Sequence, residues 1–527
     1  MRARCGHETR CQLRYDRGLR IAGQDETMNL LPQVDLPRIT QSTSVPSRSA
    51  IEQLDYVLIA LPENPSAGDL RHIPQSAQIK KLLTRTEPGE HVLSRLANAR
   101  GTGIVAGRYR GGSRFEQLSW ARKIVAACHS DKPVRLGILA AGLGSRQQQA
   151  VSALLAAALA AAFTLPSQKS KREKGWKLAS IKLLGLDARL DVAPLCAQAT
   201  GNNIARWFTA LAPNALHARG YRDALRTLAK IYGLRYEFID EKKLARLGAG
   251  AFLAVAQGNA DREAGIIRLS YRPRRESTAE LALVGKGILF DTGGTNLKPF
   301  ESMLEMHTDM QGSAVAVGTL IALAMIEAPY SIDAWLAVTE NRISATAYKP
   351  QDIVTAANGT TIQVIHTDAE GRMVLADTLA LAAREKPALI IDFATLTGAC
   401  VRALTESYSG VFSNRPAANR VVKKAGVASG ERVWPFPMDA DYDELLRSEV
   451  ADIKQCAASG SGDHILAARF LSRFVPASIP WIHVDLSAGQ RKNGLAHIPS
   501  EITGFGVGLT LELLRSQSPA SLAKELA

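Results

Sequence analysis

The sequence predicts an α/β protein in which a smaller N-terminal α/β domain precedes a larger α/β domain with a mixed, mostly parallel sheet covered by helices. The chain has 527 residues, which is long enough for two or three domains. Strand-like runs alternate with helix-like runs along most of it, as they do in α/β folds. Several of the strand-like runs are apolar on both faces, which is typical of parallel sheets buried between helices.

The first 27 residues are predicted to form a disordered extension. They contain six arginines, no lysine and little apolar periodicity. An arginine-rich start is typical of transit peptides, but those are also rich in serine and poor in acidic residues. Residues 1–27 lack serine and include the acidic residues Glu8, Asp16, Asp25 and Glu26, which argues against such a signal.

The smaller domain is predicted to span residues 28–195. Its strand candidates include Tyr56–Ala60 and Arg135–Leu139, and its most apolar stretch is the alanine-rich helix candidate Ala150–Leu165. That stretch is shorter than the about 20 residues that a helix needs to cross a bilayer. We therefore expect a buried helix there and no membrane partner.

The larger domain is predicted to span residues 196–527. Strand and helix candidates alternate along it, which favours a largely parallel sheet. Ligands of such sheets bind beyond the carboxyl ends of the strands. The strand candidates are 235–239, 281–284, 334–339, 361–365, 388–392 and 481–485, and the helix candidates are 220–233, 312–327, 372–384 and 465–474.

Composition restricts the class of partner and the compartment. The 64 basic and 50 acidic residues give a net charge of +14, which permits nucleic-acid contact. The basic residues are dispersed, however, and this favours a solvated surface over a nucleic-acid interface. The six cysteines are scattered without CxxC spacing, as in reduced thiols of a cytoplasmic protein.

Two acidic segments, each following an apolar strand-like run, indicate a site in the larger domain. Residues 284–299 read VGKGILFDTGGTNLKP and residues 366–377 read HTDAEGRMVLAD. A bare carboxylate cluster would repel itself, and divalent metal ions are the most compact compensation for buried anions. The candidate metal-binding carboxylates are Asp291, Asp309, Asp368 and Glu370.

Alternatives exist for both segments. Asp368 and Glu370 could form an ordinary helix start, with an N-cap aspartate and a glutamate that complements the helix dipole. Asp291 lies in FDTGG, which resembles the phosphate loop of actin-like sugar kinases and the catalytic loop of aspartic proteases. Aspartic proteases need a second such loop or a symmetric dimer, and the chain has no second DTG or DSG.

Lys286 and Lys298, which flank Asp291, discriminate among these interpretations. Neighbouring positive charge and desolvation both lower the pKa of a lysine, so a lysine beside metal ions can become neutral and bind one of them. A lysine that stays charged can stabilise an oxyanion, or it can simply neutralise excess carboxylate.

Taken together, the two segments resemble the signature of the leucine aminopeptidase (cytosol aminopeptidase) family. Residues 340–364, ENRISATAYKPQDIVTAANGTTIQV, and residues 392–400, DFATLTGAC, also match. The resemblance covers about residues 206–514 in order. It implies a metal-dependent aminopeptidase whose catalytic domain is the C-terminal one.

The resemblance also implies roles for the individual residues. Lys286, Asp291, Asp309 and Glu370 would hold one divalent ion, and Asp291, Glu370 and Asp368 would hold the other. Oxygen-rich sites discriminate weakly among manganese, zinc and magnesium. Lys298 would stabilise the oxyanion, and Arg372 would hold a bicarbonate ion that accepts the proton of the attacking water. The family pattern further implies a homohexamer that acts on short peptides.

The family's pocket positions correspond here to Met306, Thr395, Gly398 and Ser487. The flexible, apolar Met306 favours a leucine or methionine at the first position of the substrate. Ser487 stands where the family commonly has alanine, and its hydroxyl predicts a broadened preference. A DNA-binding or regulatory protein that retains the aminopeptidase fold is the alternative function.

Three residues depart from the family's pattern near the site. His366 stands where the family usually has asparagine, and Asp463 and His464 lie in the segment ASGSGDHILAA, where the family usually has glycines and other small residues. We expect His366 to be a harmless replacement, and the alternatives are that its imidazole hydrogen-bonds a loop or tunes the metal.

Overall fold

The computed structural model describes residues 30–87, 89–171, 175–273 and 278–527, so the predicted extension at residues 1–27 lies outside the described residues. These residues divide into two compact units. The first comprises Gln33–Ala199 and Lys492–Glu501, and the second is built mainly from Thr200–Arg491 and Ile502–Ala527. The contribution of Lys492–Glu501 to the first unit has no counterpart in the sequence prediction.

The strands of the described residues are numbered in chain order. They are β1 Arg38–Gln41, β2 Tyr56–Leu61, β3 His91–Arg95, β4 Gly103–Arg108, β5 Arg135–Ala140, β6 Ser180–Leu184, β7 Arg235–Asp240, β8 Gly265–Tyr271, β9 Leu281–Asp291, β10 Ile332–Asn341, β11 Ile353–Thr355, β12 Thr361–Gln363, β13 Leu389–Ala394, β14 Ser409–Ser413, β15 Val433–Pro435, β16 Ile453–Lys454 and β17 Trp481–Asp485.

The α-helices of the same residues are numbered in the same way. They are α1 Arg48–Glu52, α2 Ala67–Leu70, α3 Ser76–Leu83, α4 Arg114–His129, α5 Gln147–Ala162, α6 Ala193–Thr209, α7 Ala218–Ile231, α8 Glu241–Arg246, α9 Gly250–Ala256, α10 Phe300–Met303, α11 Gln311–Met325, α12 Glu370–Arg384, α13 Gly398–Leu404, α14 Ala418–Ser429, α15 Asp463–Ser472, α16 Val507–Leu513 and α17 Pro519–Leu526.

The first unit contains a six-stranded sheet in the order β1-β6-β5-β2-β4-β3. Its strands are parallel except for β3, which pairs antiparallel with β4. Helices α4 and α5 pack on it, and α5 is buried along most of its length, as expected for its alanine-rich sequence. In the described part of the chain, no helix is both long enough and apolar enough to span a membrane.

The second unit contains an eight-stranded sheet in the order β15-β14-β17-β13-β9-β10-β8-β7. The central strands β17, β13, β9 and β10 are parallel to one another, whereas β8, β7 and β14 run antiparallel to their inner neighbours. The predicted fold class, two α/β domains with mostly parallel sheets covered by helices, is confirmed. The carboxyl ends of the four central strands meet at one edge, so the residues that follow them lie close together.

Strand β9 is longer than the predicted run at 281–284. It continues through Lys286 to Asp291 and pairs with β10 and β13 on its two sides. Gly285 permits this packing, because a Cβ there would lie 2.5 Å from the Cα of Ser313 at the start of α11. The close approach of α11 to the sheet fixes Asp309, which lies two residues before that helix.

The strand predicted at 361–365 forms only Thr361–Gln363 and belongs to a separate three-stranded sheet, β11-β12-β16. Its first partner is β11, with which it forms an antiparallel pair across a short turn. The second acidic segment therefore follows this small sheet and not the edge of the main one. The apolar run suggested a parallel pairing within the main sheet, but β12 forms an antiparallel hairpin with β11 instead.

Candidate metal centre

Three of the predicted carboxylates form one buried cluster. Asp291 is the last residue of β9, Asp309 precedes α11, and Glu370 begins α12. Each offers an oxygen, and these oxygens all lie within 4.8 Å of one another. Segments that are distant in the sequence thus bring their carboxylates to a single point below the surface.

Lys286 extends from β9 into this cluster. Its Nζ lies 2.8 Å from Asp309 Oδ1 and 3.0 Å from Glu370 Oε1, and it donates a hydrogen bond of 2.9 Å to the carbonyl of Thr395. Gly371 leaves the space that the lysine uses, because a Cβ there would lie 2.6 Å from the same Nζ.

Lys298 and Asp368 lie beside the cluster and pair with each other. The Nζ of Lys298 lies 2.5 Å from Asp368 Oδ1 and 2.9 Å from Asp291 Oδ2. Lys298 therefore connects the fourth predicted carboxylate to the other three. Of the seven polar residues predicted for metal binding and catalysis, Lys286 and Asp291 lie on β9, and Glu370 and Arg372 lie at the start of α12. The other three, Lys298, Asp309 and Asp368, lie in the segments that connect the elements.

Burial and mutual repulsion shift the ionisation of these groups. Burial first, and then the charge of Glu370, raises the pKa of Asp291 to about 7, and burial raises that of Asp309 to about 8 despite Lys286. Burial also opposes ionisation of Glu370, but Lys286 and Lys298 outweigh it and lower its pKa.

The two lysines respond in the opposite sense. Burial disfavours their charged forms, but the surrounding carboxylates outweigh burial and raise the pKa of Lys286 and of Lys298 above the usual range. In this structure both lysines are cations that pair with carboxylates. Release of the Lys286 proton, which the resemblance requires, therefore depends on the charge that a metal ion would bring.

The cluster fits a divalent cation. Within the described residues, Asp309 Oδ2 is buried and has no hydrogen-bond partner, and a buried polar atom without a partner is costly. Oxygen ligands from carboxylates are those that manganese and magnesium prefer, and zinc accepts them also. A bound ion would satisfy Asp309 Oδ2 and reduce the repulsion among the three carboxylates.

Asn341 is a functional candidate that the sequence analysis did not single out. Its Nδ2 donates to Asp291 Oδ1 at 2.8 Å, to the carbonyl of Thr367 at 3.0 Å and to Glu370 Oε2 at 3.5 Å. It ends β10 and pairs in register with Asp291 at the end of β9. A polar residue at the end of a neighbouring parallel strand was the signal in the sequence.

Gln455 and Tyr348, which the sequence analysis also missed, hold the second acidic segment in place. The Oε1 of Gln455 accepts the backbone N–H groups of Ile365 and His366, and its Nε2 donates to the carbonyl of Ala369 at 3.0 Å. The hydroxyl of Tyr348 donates to the carbonyl of Thr367 at 2.7 Å. The segment is therefore fixed on both sides.

Arg372 is buried and pairs with Asp463, the first residue of α15. Its Nη2 lies 2.8 Å from Asp463 Oδ1 and 2.7 Å from Oδ2, and its Nη1 donates to the carbonyl of Gln455 at 3.3 Å. Asp463 was noted in the sequence as a departure from the family pattern, without an assigned partner. The structure gives it one.

The predicted pocket residues lie at the same sheet edge in different surroundings. Thr395 follows β13 and its hydroxyl donates to Asp309 Oδ1 at 2.7 Å. Gly398 is exposed at the start of α13, and Met306 is half-buried just before Asp309. Ser487 is buried, and its hydroxyl donates to the carbonyl of Tyr408 at 2.7 Å. Because this hydroxyl already has an acceptor, the reason given above for a broadened preference does not hold.

His366 and His464, the two histidines that depart from the family's pattern, each contact a residue close to them. The Nδ1 of His366 accepts the backbone N–H of Asp368 at 3.2 Å, so the imidazole hydrogen-bonds its own loop. The ring of His464 lies edge-on to Phe436, with centroids 4.5 Å apart, and burial lowers its pKa. His464 also lines an open cavity of about 530 Å³ with Arg402 and Ser461.

Comparison with known proteins identifies the family. Residues 203–511 match the model of the cytosol aminopeptidase family, catalytic domain. A probable cytosol aminopeptidase of Syntrophotalea carbinolica is 45% identical over 293 residues, which are 55% of this chain and 58% of that relative. A probable cytosol aminopeptidase of Polaromonas naphthalenivorans is 35% identical over 481 residues, which are 89% of this chain and 92% of that relative.

Solved structures agree over most of the chain. A mutant of tomato leucine aminopeptidase superposes with a TM-score of 0.80 at 28% identity and covers 93% of this chain and 99% of its own. The bottromycin maturation enzyme BotP in complex with Mn has a TM-score of 0.77 at 29% identity, covering 88% of this chain and 99% of its own. The kinase and aspartic protease alternatives for Asp291 therefore fall away, and the chain belongs to the cytosol aminopeptidase family as a hydrolase of the leucyl aminopeptidase type.

Proposed function

We propose that the protein is a two-metal aminopeptidase that removes an apolar first residue, leucine or methionine above all, from short peptides. The observation that carries this proposal is the buried cluster of Asp291, Asp309 and Glu370 around the Lys286 ammonium. Ion pairing with Lys286 alone does not explain why three carboxylates are buried together with one of their oxygens unpartnered. The family supports the reaction, and the two-metal mechanism and the preference are our inferences.

Each of two divalent ions would be held by a set of residues within this cluster. Lys286, Asp291, Asp309 and Glu370 would hold the first, and Asp291, Glu370 and Asp368 the second. Manganese is our first choice, supported by the manganese complex of the related enzyme BotP, with zinc and magnesium as alternatives. Bound ions would supply Lewis acidity, which makes water nucleophilic near neutral pH and polarises a carbonyl.

The chain's own residues position the reaction. Lys298, 13% exposed as a side chain, reaches the cluster from the open side and is placed to stabilise an oxyanion at its Nζ. Asn341 orients Asp291 and Glu370 through its amide. A proton acceptor is expected beside Arg372. The resemblance gives that role to bicarbonate, but the Arg372 guanidinium already carries Asp463.

Metal binding is expected to stabilise the fold. After treatment with a chelator, adding Mn²⁺ at about a hundredfold its Kd should stabilise the protein by about 2.7 kcal/mol and so raise the Tm measured by calorimetry. Asp309→Asn should reduce the response, since it removes a ligand charge, while Asp352→Asn on the surface should retain it. An identical Tm rise in all three proteins would place the metal elsewhere.

Substrate preference tests the pocket. Leucyl and methionyl amides should exceed aspartyl and glutamyl amides in kcat/KM by at least about tenfold, roughly 1.4 kcal/mol, because Met306 offers an apolar surface. A panel of aminoacyl fluorogenic amides measures this directly. An acidic or arginyl first residue as the best substrate would contradict the assignment and point to Asp463 and His464 as the residues that reshaped the pocket.

Assembly and location remain proposals. We propose a homohexamer, which light scattering would detect as six times the chain mass of 56.7 kDa, and a cytoplasmic location, which cell fractionation would test. Buried free cysteines at Cys128, Cys196, Cys400 and Cys456 agree with a reducing compartment. The comparisons give no support to the DNA-binding alternative.

A further inference from the structure

Arg372, to which the resemblance gives a bicarbonate ion, is paired in this structure with Asp463. The guanidinium is only 2% exposed and lies two residues after Glu370 on α12. Nη2 meets both carboxylate oxygens of Asp463, while Nη1 faces the Gln455 carbonyl. Nη2 of this buried cation is thus occupied by a group of the chain itself, whereas its buried Nε has no hydrogen-bond partner among the described residues.

The surroundings of Asp463 hold it in that position. It is the first residue of the ten-residue helix α15, where the helix dipole favours negative charge. Gly462 before it adopts a φ of 64°, a left-handed conformation that suits glycine and turns the chain into the helix. Local backbone geometry and the guanidinium therefore act together on the same carboxylate.

This position is linked to the metal-binding segment. The backbone carbonyl of Gln455 accepts a hydrogen bond from Arg372. The side-chain amide of Gln455 hydrogen-bonds the backbone of Ile365 and of Ala369. The segment that carries Asp368 and leads into Glu370 is therefore in one hydrogen-bonded network with the Arg372–Asp463 pair. The Asp463 carboxylate is therefore held by hydrogen bonds in a defined position relative to the metal-binding segment.

A free anion would compete poorly for Arg372. To bind at Nη2 it would have to displace Asp463, whose side chain is 25% exposed, and deprive that carboxylate of a charge-assisted hydrogen bond, which is stronger than a neutral one. It would also lose translational freedom on binding, a cost that a residue of the chain has already met through folding. At Nη2 the carboxylate of Asp463 is therefore favoured over a free bicarbonate ion.

We propose that Asp463 replaces the bicarbonate ion and serves as the built-in proton acceptor on Arg372. This inference rests on the proposed aminopeptidase reaction. As the oxygen of water bonds to the scissile carbonyl carbon, its proton passes to the Asp463 carboxylate. The same proton then passes to the nitrogen of the departing amine as the C–N bond breaks. The carboxylate is regenerated in each turnover, and no free anion is consumed or required.

The test compares variants in carbonate-free buffer and after addition of bicarbonate or formate. Asp463→Ala should lower kcat by about 10²-fold, within the range for loss of a general base, and either anion should restore most of the rate with little change in KM. The isosteric Asp463→Asn keeps the volume and serves if the alanine variant fails to fold. The wild-type rate should not respond to either anion.

Asp443 provides a matched control. It pairs bidentately with Arg469 of the same helix α15, at 2.8 and 2.6 Å, and has the same side-chain exposure of 25% as Asp463. Asp443 also pairs with Arg473 at 2.6 Å, so Asp443→Ala removes a carboxylate that is ion-paired with the same helix and leaves the Arg372–Asp463 pair in place. It should retain the wild-type rate and show no anion response.

A second measurement does not depend on activity. Bicarbonate should raise the Tm of Asp463→Ala, because the exposed guanidinium then binds it, and should leave the Tm of the wild type and of Asp443→Ala unchanged. Stimulation of the wild type by bicarbonate, full activity of Asp463→Ala or of Asp463→Asn without an anion, or a folded but slow Asp463→Ala that no anion restores would each overturn the inference. Because Asp463→Asn fills the space of the carboxylate, it should be slow and should not respond to an anion. A wild type that hydrolyses no aminoacyl amide would instead refute the proposed function, and the Tm comparison would still decide the anion position.

Discussion

Glu370→Gln should lower kcat by about 10³-fold or more, since loss of metal-dependent charge stabilisation costs several kcal/mol and each 1.4 kcal/mol is a factor of ten. Glu370 is the central carboxylate of the cluster, with Lys286 at 3.0 Å and Asn341 at 3.5 Å. The amide keeps the shape of the side chain but removes the charge that both proposed ions would share. Steady-state kinetics at saturating Mn²⁺, with the bound metal quantified, measures the effect.

Its control lies on the same helix. Glu385 follows the last turn of α12, is 44% exposed and pairs with Arg268 at 3.3 Å, so Glu385→Gln removes an equal charge far from the cluster. That variant should keep the wild-type rate and metal content. If Glu370→Gln also retained both, the cluster would not be the reaction site.

Lys298→Ala should lower kcat by about 10²–10³-fold, the usual loss for one oxyanion donor, with a smaller effect on KM. The side chain reaches Asp291 and Asp368 at 2.9 and 2.5 Å, so its removal also changes the charge balance of the site. The assay is therefore run over a range of Mn²⁺ concentrations, which separates the two effects.

The metal dependence decides between the two roles of Lys298. If the lysine stabilises an oxyanion, the loss in kcat persists at saturating metal. A rate that returns to the wild-type value at high Mn²⁺ would mean that Lys298 only neutralises the carboxylates, and the proposed role would be wrong. Lys349→Ala, which removes an exposed lysine 3.9 Å from Asp352, is the control for a general effect of charge.

The fold class was predictable because it depends on local patterns. Apolar strand-like runs such as Trp481–Asp485 form strands with the predicted bounds, and the helix candidate at 372–384 lies within α12. The apolar run at 361–365 predicted a strand of the main sheet. The strand instead pairs with β11, its neighbour in the sequence, in a separate sheet. Which strands pair depends on contacts that an apolar run does not specify.

Part of the clustering of Asp291, Asp309 and Glu370 could also be expected from the sequence, because Asp291 ends β9 at the carboxyl edge of the parallel sheet. Glu370 follows the small three-stranded sheet, so only the packed chain brings it to the other two. The residues that orient them were harder to find. Asn341 reaches Asp291 across fifty positions and Gln455 holds Ala369 across 86. Hydrogen bonds between residues so far apart in the sequence depend on the order of the strands and the course of the loops. Local amino-acid composition predicts neither of these.

By itself the sequence determined which residues carry the chemistry: two lysines, four carboxylates and one arginine, together with glycines that let α11 approach the sheet and leave room for the Lys286 side chain. The tertiary structure alone decided how they are partnered. It placed Lys286 among Asp309 and Glu370, Lys298 between Asp291 and Asp368, and Asp463 on Arg372. The physical reason is that a buried charge must find a partner within a few ångströms, and only the packed chain determines which charges come that close.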